Sequence, residues 1–207
     1  MPMTREHRQL TLSDLEPMAQ VLARAFSEDP LVSFILPNAK TRVKTIAKFF
    51  RAMGRLNIRA GSAFGIGEPL QGVAVWSFPN KPEASVTPKD IVTFLPVLFS
   101  PYAIGVRRAR AILSQIDANH KKHASEPHFY LDNLGVLASA RGQGLSSKLI
   151  RPFLETADSQ KVIAYTDTVT KSNVPLYQHF GFELVEENLI AGTGITTYEL
   201  HRPINSR

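Results

Sequence analysis

The sequence contains no cysteine, so disulfide bonds and thiolate metal sites are both excluded. Its six histidines never fall in the H-x-x-x-H spacing that many metal enzymes use, so no metal is expected. Residues 1–7 lack the apolar h-region of a secretory signal, and we therefore expect a cytoplasmic protein. An apolar fraction of 43% with 20% charged residues is typical of a folded globular chain.

Charge is absent from residues 91–106, which are mostly apolar but are interrupted by Pro96 and Pro101. This run is too short to cross a bilayer as one helix. We therefore expect a buried or partner-facing helix–turn–helix and no membrane partner, with a membrane-surface element as the weaker alternative. As a partner-facing element it would be either a substrate lid or a homodimer surface.

Acidic residues are absent between Lys40 and Arg59, an interval that holds seven basic residues. Six of them step by three or four and so line one face of a predicted helix, opposite an apolar face. We interpret the basic face as solvated surface, with anion steering or nucleic-acid contact as alternatives. Because no nucleic-acid motif or interleaved aromatic accompanies it, no nucleic-acid partner is expected. The six are Lys40, Lys44, Lys48, Arg51, Arg55 and Arg59.

Hydrophobic periodicity predicts an α/β chain in which helices and strands alternate. We read one domain, residues 1–207, with a helical insertion of two helices at about residues 80–125. The predicted strands are 7–12, 63–66, 72–78, 126–136, 162–166, 182–187 and 194–200. The other predicted helices are 15–26, 31–36, 40–59, 145–157 and 173–180.

A glycine-rich turn from Arg141 to Ser147 joins a predicted strand to a predicted helix. Such a turn leaves free backbone N–H groups at the positive end of a helix dipole, which suits a phosphate or pyrophosphate. Spacing excludes two familiar phosphate loops. Lys148 follows two serines rather than completing the Gly-Lys pair of a P-loop, and Ser147 stands at the third glycine position of a dinucleotide fingerprint.

Read as [QR]-x-x-G-x-[GA], the turn resembles the acetyl-CoA pyrophosphate loop of the GNAT superfamily of N-acetyltransferases, with Ser146 in the last place. About thirty residues later, Asn173, Tyr177 and Gly181-Phe182 resemble that family's N-x-x-x-Y-x-x-x-G-F pattern. The resemblance covers residues 126–190. Residues 25–31 and 126–131 are similar to the puromycin N-acetyltransferase-like branch.

The resemblance implies the GNAT fold, which is a central, mixed, mostly antiparallel sheet of six to seven strands flanked by helices. One strand of that fold carries a bulge and parts from its neighbour, and the splayed pair holds acetyl-CoA. The cofactor-binding residues implied are Leu134, Gly135, Val136, Arg141, Gly142, Gln143, Gly144, Leu145, Ser146, Asn173 and Tyr177.

Acetyl transfer from a thioester to a neutral amine requires orientation, oxyanion stabilisation and protonation of the leaving thiolate. The resemblance implies the Val136 N–H as oxyanion donor and Tyr177 as general acid, since a phenol of pKa near 10 is protonated at neutral pH. The alternative for Tyr177 is a packed aromatic on an amphipathic helix. Asn173 either caps that helix or contacts the cofactor.

The general base is left open between four residues near strand ends and a water chain. An ordinary solvated or hydrogen-bonded role is the alternative for each of the four. They are Glu126, His128, Asp132 and Asp167, and Asp167 stands where the puromycin-like enzymes carry an acid.

The expected activity is therefore acetyl-CoA-dependent N-acetyl transfer to a primary amine by direct attack in a ternary complex. A small-molecule acceptor is expected because the apolar insertion could enclose a compact pocket. A protein N-terminus or lysine is the other acceptor. The alternative from a different class is a non-catalytic acyl-CoA-binding or regulatory module with this fold.

Overall fold

The computed structural model describes residues 6–79, 81 and 84–204, in which seven strands form one sheet with the order β1-β2-β3-β4-β5-β7-β6. Every neighbouring pair is antiparallel except β4 and β5. The strands are β1 Arg8–Gln9, β2 Ala63–Ile66, β3 Gly72–Ser77, β4 Phe129–Val136, β5 Ala164–Thr168, β6 Glu183–Ile190 and β7 Ile195–Arg202. The mixed, mostly antiparallel sheet confirms the expected fold class.

Eight α-helices accompany the sheet in the described ranges. Three of them, α4 to α6, follow one another between β3 and β4. The helices are α1 Leu15–Ala25, α2 Pro30–Ile35, α3 Ala39–Arg59, α4 Pro88–Leu98, α5 Pro101–Arg108, α6 Arg110–His123, α7 Leu145–Gln160 and α8 Val174–His179.

The sheet is covered on both faces, as the alternation in β3 shows. Val73 and Val75 pack into one core with α1 and α3, whereas Ala74 and Trp76 pack into a second core with α7 and α8. The indole Nε1–H of Trp76 donates to the Leu149 carbonyl at 3.2 Å, which fixes α7 against the sheet. Because successive side chains of a strand point to opposite faces, a continuously apolar strand is what a two-sided core requires.

The insertion contains three helices rather than the two expected. The backbone leaves helical geometry at the buried Ala109, where ψ is 5°, and α6 then runs through the polar residues to His123. Residues 80, 82 and 83 of the predicted insertion lie outside the described residues. The reading of one domain with an insertion stays a prediction.

β5 begins two residues later than predicted and extends to Thr168. The Val162 N–H donates to the Ala157 carbonyl at 2.9 Å and so closes the end of α7. Lys161 beside it has a left-handed backbone with φ of 54°. A chain engaged in a helix C-cap cannot at the same time join the ladder, so the strand starts at Ala164.

The basic face of α3 is solvated only in part, so that interpretation is wrong at its carboxyl end. Arg55 Nε lies 2.7 Å from Asp90 Oδ1, and Arg59 Nη1 lies 2.5 Å from Asp90 Oδ2. Asp90 is fully buried and also accepts from the Thr87 hydroxyl at 2.6 Å. The Thr87 bond, with both arginines, holds the pKa of Asp90 at about 2. These pairs attach α4 to α3.

The charge-free run is buried only in part. Val97 is buried and Tyr102 and Val106 pack against the core, whereas other apolar residues on α4 and α5 are exposed. The partner-facing reading of that exposed surface stays a prediction. No single described helix is long and apolar enough to cross a membrane, and α4 with α5, bent by 80°, passes that test only as a pair. The most exposed side chains are Ile91, Val92, Leu98, Phe99 and Ile104.

Candidate active site

The central feature of the site is an extra residue in β4. Val75 of β3 pairs with Asn133, but the next residue, Trp76, pairs with Leu131. Asp132 is therefore the inserted residue of a β-bulge, which bends the strand and re-aims its side chain.

The bulge also reverses which peptide groups face which neighbouring strand. Before it, the Phe129 N–H donates to the Ile163 carbonyl, on the β5 side, at 3.0 Å. After it, the Leu137 N–H donates to the Gln71 carbonyl, on the β3 side, at 2.9 Å. Since the direction alternates along a strand, Gly135 also faces β3, whereas the peptide groups of Leu134 and Val136 face β5.

β4 and β5 separate just beyond their only two paired positions, Phe129 with Ala164 and Tyr130 with Tyr165. Beyond these positions side chains link the two strands, since the Thr166 hydroxyl donates to the Leu131 carbonyl at 3.0 Å and the Tyr130 hydroxyl donates to Asp167 Oδ1 at 2.8 Å. The peptide groups of Leu134 and Val136 are thus directed into an opened strand pair, as the resemblance implied.

The opened pair leads into a cavity of about 410 Å³, here called the glycine-turn cavity. Its walls come from the end of α1, from β4, from the glycine-rich turn and from α8. They comprise Ala25, Phe26, Glu28, Asp29, Leu134, Val136, Arg141, Ser146, Thr170, Ser172, Asn173, Leu176 and Tyr177.

Two glycines of the turn have backbones that only glycine adopts without strain. Gly142 has φ of 75° and Gly144, the N-cap of α7, has φ of 72°. A Cβ at either position would meet nothing within 4 Å, so the constraint is the backbone and not space. The Leu145 side chain is buried in the core, which leaves only its peptide group near the turn surface. Gln143 is exposed and does not line the cavity.

Gly135 has a different reason to be glycine. A Cβ there would lie 2.9 Å from Ala25 Cβ and 3.0 Å from Leu22 Cδ2. The absent side chain lets α1 approach β4 closely and brings Phe26 to the cavity. Sequence reasoning gave Gly135 a cofactor contact and missed this packing role.

A second cavity, of about 320 Å³, lies on the other side of the opened pair and is here called the apolar cavity. The two cavities meet at the splay, because both are lined by Phe26, Asp29, Leu134, Asn173 and Tyr177. Most of its walls were missed from the sequence, because they come from α2, α3, α5 and α6, far along the chain from the motifs. These wall residues include Val32, Ile35, Phe49, Phe50, Tyr102, Leu113 and Ile116.

Tyr177 lies where the two cavities join and is only 6% exposed. Its ring packs edge-on against Phe182, with 6.0 Å between the ring centroids. Tyr177 is therefore both a packed aromatic residue and a residue that lines the cavities. Burial, together with nearby Asp167, raises the pKa of Tyr177 to about 12. Asn173 precedes α8 without a side-chain cap bond, and its Nδ2 donates to Thr168 Oγ1 at 3.2 Å instead.

Two of the four candidate bases, Asp132 and Asp167, line the apolar cavity. The surrounding protein raises the pKa of Asp132 to about 6 by desolvation, although the residue is exposed at the cavities and Asn133 Nδ2 donates to Oδ2 at 2.8 Å, which opposes the shift. Burial also raises the pKa of Asp167 to about 7, although the Tyr130 hydroxyl donates to Oδ1 at 2.8 Å. Low dielectric disfavours the charged form of both acids.

The other two candidates, Glu126 and His128, line a third cavity of about 680 Å³, here called the histidine cavity. His128 Nδ1 lies 2.7 Å from the Glu126 carbonyl oxygen, and its Nε2 lies 2.8 Å from His120 Nε2. The histidine cavity shares Asp132 with the apolar cavity. Of the four candidates, Asp132 alone therefore reaches both spaces.

The acidic and histidine side chains form no metal site in the part of the chain that the structure describes. Groups of three or more histidines, aspartates or glutamates placed to hold a metal ion are absent there.

Part of the chain matches the model of a known protein family. The acetyltransferase (GNAT) family model matches residues 94–182, which include β4, the glycine-rich turn and Tyr177. A probable serine/threonine-protein kinase from Dictyostelium discoideum is 28% identical over 193 residues, 86% of this chain and 20% of that protein. The chain thus spans about a fifth of that relative's length. An uncharacterized N-acetyltransferase from Schizosaccharomyces pombe is 24% identical over 189 residues, 84% of this chain and 73% of that protein.

Solved structures share the fold over nearly the whole chain. The histone acetyltransferase HPA2 and related acetyltransferase from Corynebacterium glutamicum superposes with a TM-score of 0.66 at 17% identity, covering 98% of this chain and 97% of that one. The polyamine N-acetyltransferase from Drosophila melanogaster, which forms N-acetylagmatine, gives 0.57 at 17% identity, covering 94% and 98%. The family model thus matches a little under half of the chain, and the solved structures share its fold.

The raised pKa of Asp167 predicts a pH-dependent gain of stability in Asp167→Asn. A carboxyl whose pKa is raised from about 4 to about 7 binds its proton more tightly in the folded state, so its ionisation destabilises the fold above that window. We expect the variant to melt a few degrees above the parent at pH 8 and level with it at pH 4. Thermal unfolding at both values measures this.

Asp14→Asn is a control of opposite sign. The Asp14 carboxylate pairs with Arg8 at 2.6 Å, and that hydrogen bond holds its pKa well below the usual range. This variant should lose stability at pH 8. If Asp167→Asn also loses stability there, the environment described for Asp167 is incorrect.

Proposed function

We propose that this chain is an acetyl-CoA-dependent N-acetyltransferase acting on a primary amine of a small molecule. The observation that most supports this proposal is that the glycine-turn cavity and the apolar cavity meet at Leu134 and Tyr177, across the opened β4–β5 pair. A thioester bound in one and an amine bound in the other would come together there. Direct attack in a ternary complex is the reaction that this arrangement favours.

The glycine-turn cavity fits the donor. Peptide N–H groups from Gly142 to Ser146, at the positive end of α7, would bind the pyrophosphate, and the Arg141 guanidinium would add a cation. The peptide groups of Leu134 and Val136 face the gap and would bind the amides of the pantetheine arm. Asn173 and Tyr177 close the cavity on the α8 side. When bound, acetyl-CoA supplies the activated acyl group.

The chain's own groups match the charges that develop during transfer. The Val136 N–H would donate to the carbonyl oxygen as it gains negative charge. As the C–N bond forms and the C–S bond breaks, the Tyr177 hydroxyl would donate its proton to the leaving thiolate. With a pKa of about 12, Tyr177 is protonated throughout the physiological range.

Asp132 is the base in this proposal. With a pKa of about 6 it is largely ionised at neutral pH and close enough to neutrality to accept an ammonium proton. It lines both the apolar and the histidine cavities, and the latter gives the proton a route to solvent. Asp167, held by the Tyr130 hydroxyl, would contribute negative charge that attracts the ammonium.

The acceptor is proposed to be small because α5 and α6 contribute walls to the apolar cavity, through Tyr102, Leu113 and Ile116. The Drosophila relative in fold, which forms N-acetylagmatine, also acts on a small amine. The puromycin-like branch stays a prediction resting on residues 25–31 and 126–131. Cytoplasmic location and a homodimer through the exposed α4–α5 surface likewise stay predictions.

Tyr177→Phe tests the acid. We expect kcat to fall by about 100-fold, since proton donation is lost, while edge packing on Phe182 keeps the melting temperature and the CoA dissociation constant near those of the parent. Thiol release from acetyl-CoA with a panel of amines measures turnover, and calorimetry measures CoA binding. An unchanged kcat would exclude the acid role. Tight CoA binding without turnover on any amine in the parent would instead indicate a non-catalytic acyl-CoA-binding module.

Asp132→Asn tests the base through the pH profile. For the parent we expect kcat/KM to rise as pH increases through about 6, because the carboxylate must be ionised to accept the proton. In the variant, kcat/KM should no longer rise through this pH range and should be lower by at least about 100-fold. Glu126→Gln is the matched control and should keep the parent's pH dependence and its kcat/KM. If the pH dependence is lost in the Glu126 variant and kept in the Asp132 variant, the base lies in the histidine cavity.

A further inference from the structure

We infer that the acceptor is a primary monoamine with an aromatic-sized apolar body and no carboxylate. This inference rests on the proposed function and concerns the apolar cavity, whose charges lie at one end and whose far walls are apolar. The position of those charges restricts the chemistry of any amine that reaches the splay.

Three carboxylates line the end of the cavity that adjoins the sheet. Asp132 lies on β4, Asp167 lies on β5, and Asp29 precedes α2. Asp29 is already engaged, because it accepts from the Leu31 and Val32 N–H groups at 2.9 and 3.1 Å. Asp29 also lines the glycine-turn cavity, whereas Asp132 and Asp167 line the apolar cavity and accept from Asn133 and Tyr130 side chains. An ammonium that reaches the thioester from the apolar cavity would therefore have carboxylates beside it.

Lysine, arginine and histidine are absent from the described residues that line this cavity. An acceptor that carries a carboxylate beside its amine would therefore bury that group among three aspartates without a cation to pair with it. Burying an unpaired charge is strongly unfavourable. The lining thus disfavours α-amino acids and the carboxyl-bearing ends of peptides.

The far walls have the opposite character. They come from α2, α3, α5 and α6 and contain no charged side chain in the described chain. Phe49 stacks on Tyr102 with centroids 4.7 Å apart, and Phe26 lies 5.5 Å from Phe50. A flat apolar body fits between such walls and gains from leaving water. A second cation placed there, as in a diamine or a guanidinoalkylamine, would lose its hydration without meeting a carboxylate.

The test compares three aromatic amines that differ in the group beside the amine with one aliphatic amine that carries a second cation. They are 2-phenylethylamine, L-phenylalaninamide, L-phenylalanine and agmatine. We expect kcat/KM for 2-phenylethylamine to exceed that for L-phenylalanine by at least about 100-fold and that for agmatine by at least about 10-fold. L-phenylalaninamide has nearly the bulk of L-phenylalanine without its charge, so it should fall between the two aromatic compounds.

Phe49→Ala tests whether the aromatic wall holds the apolar body. We expect it to lower kcat/KM for 2-phenylethylamine by about 10-fold or more while the CoA dissociation constant stays at the parent value. Phe99→Ala, at a side chain that is 86% exposed, is the matched control and should change neither quantity.

The outcomes separate this inference from the proposed function. If L-phenylalanine or agmatine is acetylated as efficiently as 2-phenylethylamine, the inference is overturned and the acetyltransferase activity stands. If CoA binds but neither these four amines nor any other amine is acetylated, the inference and the proposed function are both overturned.

Discussion

The extra residue at Asp132 determines the geometry on which the rest of the site depends. By shifting the β3–β4 register by one, it directs the peptide groups of Leu134 and Val136 away from β3. β5 does not accept those groups, because its pairing with β4 ends at Tyr130. Unpaired peptide groups inside a protein are costly, so a ligand with amide and carbonyl groups fits this gap better than apolar side chains would. The bulge thus creates both the opening and its chemical preference.

Burial links the site's protonation states. Asp132, Asp167 and Tyr177 all have raised pKa values, and desolvation is the largest cause in each case, although Asp132 is exposed at the cavities. The same low dielectric that keeps the phenol protonated brings the two carboxyls close to neutral pH, where they can exchange protons with an amine. It also makes the cavity selective, because any charge that enters must meet a partner there. The electrostatics of catalysis and of acceptor choice therefore have one physical origin.

Local chemistry could be predicted from the sequence, but contacts between distant segments could not. The glycine-rich turn and the Asn173–Tyr177 spacing each lie within a few residues, so their geometry follows from turn and helix rules. The position of the bulge depends on pairing with β3, and the walls formed by Phe49, Tyr102 and Leu113 depend on packing between distant helices. The burial of Arg55 against Asp90 likewise depends on how α4 meets α3. Periodicity shows which face is polar, but not what that face will meet.

A crystal structure with CoA bound tests the central claim most directly, which is that the opened strand pair and the glycine-rich turn form one donor site. We expect the pyrophosphate within hydrogen-bond distance of the N–H groups of residues 142–146 and the pantetheine arm between β4 and β5. The sulfur should then lie within hydrogen-bond distance of the Tyr177 hydroxyl. CoA bound elsewhere, for instance in the histidine cavity, or a sulfur far from Tyr177, would contradict the account.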